Sequence, residues 1–285
     1  MRFFPVPAEQ PPKHSPGNHE KTLKVSRIFR VFLINMDYPR YSYPTRLAPG
    51  LIANILFGGR RSFRRDGLAC VERMVPPLRV LGEENIPQGG PCLITFNHYY
   101  RPGFDAWWMA LALSATVPVD IHYGMTGELT YPGKWYAPLG MASSRWLLSR
   151  FSRIYGFTSM PPMPPRPKDV EVRARSVRRL LAFAKARPQA LLGLAPEGGD
   201  QPGGLLNRPP AGAGRFVLLL AEQGFPILPV GCFEEAGAFC LRFGTSYRLQ
   251  IPPGLSPDEK DHQAAQTVMS AIAYQLPPRL RGEFG

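Results

Sequence analysis

The sequence predicts an α/β fold: a mixed, largely parallel sheet flanked by helices and preceded by an N-terminal helical segment. Three observations carry this prediction. From Leu78 onward, short β-rich runs alternate with helical stretches, the pattern of strands joined by helical crossovers. Gly and Pro, 28 and 33 of them, punctuate the boundaries between these runs without any collagen-like period. A chain of 285 residues that is 44% hydrophobic can also bury a substantial core.

Taken in order, residues 1–20 are proline-rich and polar and read as a disordered tail. Residues 21–75 mix apolar patches (IFRVFLI, LIANILF) with arginines at 60, 61, 64 and 65, which predicts two or three helices. Their apolar and cationic faces suit a membrane-surface segment, or equally helices packed on the main domain. Residues 76–285 form the α/β domain. Its candidate strands are residues 77–82 (PLRVLG), 92–97 (CLITFN), 119–124 (VDIHYG), 153–159 (RIYGFTS), 190–195 (ALLGLA), 226–233 (PILPVGCF) and 239–249 (FCLRFGTSYRL).

Between Pro167 and Pro188 a helix is expected, with Val170, Ala174, Val177, Leu181 and Ala184 facing the core. Arg173, Arg175, Arg178, Arg179, Lys185 and Arg187 then fall on or near its exposed side. The last helix has the clearest start signal, a capping box of Ser256 and Glu259 around Pro257. Ala265, Val268, Met269, Ile272 and Leu276 form its apolar face.

The net charge of +13 attracts anionic surfaces and polyanions. The basic residues are spread over helices and are not interleaved with aromatics on a sheet, so no nucleic acid is expected as a partner. Cys70, Cys92, Cys232 and Cys240 show no CxxC spacing and read as small apolar residues in a reducing compartment. The prolines near the start interrupt any apolar stretch a signal peptide needs, which predicts a protein that stays inside the cell. The longest apolar run, residues 106–119, falls short of the roughly 20 residues that span a bilayer. A cytoplasmic location, peripheral to the inner face of the membrane, is therefore expected.

His98 directly follows an apolar strand, and a side chain at the carboxyl end of a strand points into the usual binding crevice of such sheets. Asp105 stands seven residues later, across a turn containing Pro102 and Gly103. If that turn folds back, the carboxylate can fix the imidazole tautomer and leave the other nitrogen as a general base. In the plainer alternative, Asp105 caps the following helix and His98 is an ordinary loop histidine. Glu197 ends another strand and opens a flexible loop, GGDQPGG. Nucleophile elbows (GxSxG), phosphate loops (GxxxxGK[ST]), GxGxxG after a strand and HExxH are all missing.

The segments VLGEENIPQGGPCLITFNH, LGLAPEGG and AGAGRFVLLLAEQGFPILPVG together resemble the glycerol-phosphate and lysophosphatidic acid acyltransferase superfamily over roughly residues 78–250. The resemblance implies acyl transfer from an acyl-CoA or acyl carrier protein thioester to a hydroxyl of a (lyso)glycerolipid or related lipid acceptor, without a metal or bound cofactor. It makes His98 the base, Asp105 its orienting carboxylate and Glu197 with Gly198 part of the acceptor site, while Pro226 and Pro229 shape the donor side. Two departures stand out. Six residues separate His98 from Asp105 where the family has four, and Asp200 stands where the family has a phosphate-binding arginine. Arg101, Arg166 and Arg215 are the candidate replacements, since an arginine offers phosphate a bidentate fork. A non-catalytic lipid-binding protein that keeps the fold is the competing expectation.

Overall fold

The central strand of the sheet, β2 (Cys92–Phe96), is buried at all five positions. That is what a parallel strand covered by helices on both faces requires, and it explains why CLITF shows no alternation of polar and apolar residues. The computed structural model describes residues 38–131, 133–163, 166–199 and 202–285. Pro39–Gly285 is the unit described below. The expected tail (1–20) and all of the first apolar patch (IFRVFLI) lie outside the described residues.

The other strands are β1 (Arg79–Leu81), β3 (Ile121–Thr126), β4 (Thr158–Met160), β5 (Leu191–Leu194), β6 (Ile227–Glu235) and β7 (Ala238–Phe243), in the order β1-β7-β6-β2-β5-β3-β4. Every pairing is parallel except β6 with β7. The sheet is thus mixed and largely parallel, as the sequence predicts. The β6–β7 hairpin turns on Ala236 (φ 49°) and Gly237 (φ 74°), the left-handed pair that a two-residue hairpin turn needs.

Seven helices accompany the strands among the described residues: α1 (Leu47–Phe57), α2 (Phe63–Val71), α3 (Trp107–Thr116), α4 (Ala137–Tyr155), α5 (Val170–Ala186), α6 (Ala213–Ala221) and α7 (Pro257–Tyr274). The apolar run at residue 106 becomes α3, a core helix packed against α2. Helix α6 crosses α7 so closely that a Cβ on Gly214 would stand 2.0 Å from the carbonyl oxygen of Asp261. The capping box on α7 forms, with Ser256 Oγ accepting from the Glu259 N–H and the Glu259 carboxylate accepting from the Ser256 N–H. None of the helices among the described residues is long and apolar enough to cross a membrane.

Three local expectations are corrected. The buried line of α5 is Ser176, Leu180 and Ala184, because Leu180 is the side chain that reaches the sheet above Gly124; Val170, expected to face the core, is 64% exposed. Arg173, on or near the exposed side by the same pattern, is half-buried and donates to the Pro162 carbonyl at 2.9 Å. The run at 153–159 is helical to Tyr155 and turns at Gly156 (φ 73°), so only its end is a strand, and β7 stops at Phe243, after which Tyr247 alone bridges back to Ile227. The four cysteines are buried and unbridged.

Candidate active site

From β2 the chain crosses by α3 to β3 on one side, and from β5 it crosses by α6 to β6 on the other. The strand order therefore reverses around β2, and the crevice at the carboxyl ends of β2, β5 and β6 is the place where such sheets bind ligands. His98, Glu197 and Glu234 all stand at that end, one from each strand.

Asn97 anchors the exit from β2. Its side-chain amide donates to the Cys232 carbonyl at 2.9 Å and accepts from the Cys232 N–H at 2.7 Å, so a side chain continues the β2–β6 ladder where the backbone has begun to turn. The next residue, His98, donates its main-chain N–H to Glu197 Oε2 at 2.6 Å and keeps its Nδ1 buried. The other oxygen of Glu197 accepts from the Asn207 N–H at 2.9 Å. One carboxylate thus joins the turn after β2, its own turn after β5 and the loop that leads to α6. Gly198 makes the turn possible with φ 75°, at a point where a Cβ would stand 2.7 Å from Met163 Cγ.

Glu197 is 4% exposed. Burial pushes its carboxyl up to about 7, against the two backbone N–H groups and the charge of His98, which favour the ionised form. Near neutral pH it is therefore poised between acid and carboxylate, and a protonated His98 draws it toward the carboxylate.

Arg101 lies in a buried pair. Its Nε and Nη2 donate to Glu234 Oε2 and Oε1 at 2.5 and 2.9 Å, and Nη1 donates to the Pro102 carbonyl. Pro102 and Gly103 (φ 80°), between His98 and Asp105, form a β-turn closed by the Phe104 N–H on the Arg101 carbonyl. Asp105 is exposed and does not cap α3, whose N-cap, Ala106, has no side-chain bond. Its carboxylate lies against the Tyr43 hydroxyl, which burial and then this charge push above the usual phenol range. Among the described residues no hydrogen bond or ion pair joins His98 to Asp105.

Arg166 belongs to a second cluster, donating to Glu128 at 2.7 Å and pairing with Asp169; Arg145 meets Glu128 from the other side. Arg215 is exposed in the first turn of α6, where its N–H and that of Gly212 are capped by Asp261 at 2.6 and 2.7 Å. Asp200 lies outside the described residues. Pro226 and Pro229 belong to the edge where β6 meets β2, the Pro226 carbonyl accepting from Leu93 at 2.8 Å and Pro229 pairing with Thr95. The sequence reading missed Glu234, whose only visible signal is a pair of acids at the end of an apolar strand. It also missed Tyr41 and Tyr99, which meet Glu234.

His98 and Glu197 both fall inside the stretch that one family model matches. The acyltransferase family model matches residues 77–233, more than half of the chain, and the chain belongs to that family. Among solved structures it is similar to the 1-acyl-sn-glycerophosphate (LPA) acyltransferase PlsC from Thermotoga maritima, with a TM-score of 0.42 and 15% identity over 89% of this chain and 88% of that one. No match was found among curated proteins.

Proposed function

We propose that this chain transfers a fatty acyl group from a thioester, acyl-CoA or an acyl carrier protein, to a hydroxyl of a lysoglycerolipid or related lipid at a membrane surface. The observation that carries the reading is the placement of His98 at the switch point, with its main chain held by the buried Glu197. In this reading the His98 ring takes the hydroxyl proton as the acceptor oxygen attacks the thioester carbonyl carbon. The C–S bond of the tetrahedral intermediate then breaks, and the imidazolium returns its proton to the leaving thiolate. Ionised Glu197 stabilises the imidazolium between these steps, and Asp105 is the carboxylate assigned to orient the ring. Arg215 and Arg166 remain the cations proposed for an acceptor phosphate. Arg215 lies at the carboxyl end of the sheet, and its guanidinium has no acid partner among the described residues.

The proposed membrane contact is the face shared by α1 and α4, which touch each other. None of the residues of α1 is buried, Phe57 (86% exposed) ends it, Leu139 and Trp146 are exposed on α4, and Trp135 (92%) is exposed just before α4. Arg153, exposed on α4, supplies charge complementary to anionic lipid.

The test is thiol release and mass-spectrometric detection of the acylated product with lysophospholipid and acyl-CoA. Wild type should be active and His98→Ala inactive but folded. A second reading is a lipid binder without catalysis, kept because among the described residues no hydrogen bond joins His98 to Asp105. It wins if wild type binds lysolipid and releases no thiol with either donor.

A further inference from the structure

Glu234, next to last in β6, is buried, and its two oxygens receive four donors. Oε1 accepts from the Tyr41 hydroxyl at 2.6 Å and from Arg101 Nη2 at 2.9 Å, while Oε2 accepts from the Tyr99 hydroxyl at 3.0 Å and from Arg101 Nε at 2.5 Å. A buried ion pair is costly unless hydrogen bonds satisfy its remaining groups, and apolar residues of the same volume often serve stability as well or better. A saturated carboxylate therefore specifies geometry more than it adds stability. The geometry it specifies is local to the base: Tyr99 follows His98 directly, and Arg101 is the third residue after it.

The clamp has a second side. The segment before α1 lies over this turn, with the Tyr41 ring packed on Phe104 and Trp108 and the Tyr43 ring stacked on Trp108 at 4.8 Å. Asn97 fixes the turn at its start through Cys232, two residues before Glu234 on the same strand. The turn bearing His98 is thus held to β6 on both sides of the histidine.

We propose that Glu234 is a positioning residue for acyl transfer, clamping the Tyr99–Arg101 turn to the end of β6 so that the His98 ring is held in the crevice, with Arg101 serving this clamp and not the acceptor. The proposal rests on the reading of His98 as the base. A histidine displaced by about 1 Å loses up to ~100-fold in rate, without a matching loss of substrate affinity.

The experiment compares Glu234→Gln, Arg101→Lys and Tyr41→Phe with wild type, using a phosphorylated and an unphosphorylated lysolipid as acceptors. Folding is followed by thermal denaturation. Glu234→Gln and Arg101→Lys should lower kcat by about 10- to 100-fold for both acceptors, with acceptor and donor KM within about twofold of wild type. Hydrogen exchange should quicken at residues 99–104 while β5 stays protected. Tyr41→Phe removes one donor and keeps the ion pair, so it reads the clamp even if Glu234→Gln does not fold; it should lower kcat several-fold with KM unchanged. Wild-type kcat in Tyr41→Phe and Glu234→Gln overturns the proposal, as does a KM increase in Arg101→Lys confined to the phosphorylated acceptor. A wild-type protein that releases no thiol overturns the acyl-transfer reading and this proposal with it, whereas an active wild type with unaffected variants overturns the clamp alone.

Discussion

The main-chain N–H of His98 donates to the side chain of Glu197, 99 residues away, at 2.6 Å. The contact makes one buried carboxylate answerable both for the shape of the crevice and for its charge. It therefore links the stability of the fold to pH through a single group.

Between about pH 4.5 and about 7 the folded protein keeps the proton on Glu197 while the unfolded chain has lost it. Folding stability from this group is complete below the lower value and is lost as pH rises through the upper one, by about 3 kcal/mol in all. Glu197→Gln cannot titrate. Relative to wild type, the variant should therefore gain about that much stability between pH 4.5 and 8, read by urea denaturation at the two values. Parallel curves for the two proteins would place the titration elsewhere.

Asn97→Ala should be among the more damaging single changes in the sheet. It leaves the N–H and carbonyl of Cys232 without partners in a buried strand, a loss of about 3 kcal/mol. Thermal melts that leave Asn97→Ala as stable as wild type would contradict the pairing described.

Asp105→Asn tests the orienting carboxylate. If Asp105 fixes the imidazole tautomer during turnover, kcat should fall by about 100-fold with KM unchanged. An unchanged kcat, alongside a loss in Glu197→Gln, would transfer the electrostatic role to Glu197.

Vesicle binding tests the α1–α4 face. Binding to anionic liposomes should weaken as salt rises, since exposed charges are screened beyond about 10 Å at roughly 0.1 M. Phe57→Glu or Leu139→Glu should reduce it at every salt concentration. Equal binding by these variants would move the contact to another surface.

The strands were legible because a sheet buried on both faces writes itself as short, unbroken apolar runs, and residues 92–97 and 190–195 are such runs. His98 and Glu197 were legible for the same reason, as polar residues at the ends of those runs. What could not be read was pairing across the chain. Arg101 looks like a free cation beside His98 until β6 brings Glu234, 133 residues on, against it. The face of α5 was misread because Ser176, a small polar residue, fills a buried position that hydrophobic periodicity assigns to its apolar neighbour Val177.

The sheet ends on both sides in strands of three residues, β1 and β4. A long bare strand edge is a template on which further chains add, and edges this short offer almost no register to copy. Concentrated protein should therefore clump through its exposed helical tryptophan and phenylalanine side chains and not by fibril growth. Turbidity should clear on adding a mild detergent and leave no signal from an amyloid-binding dye.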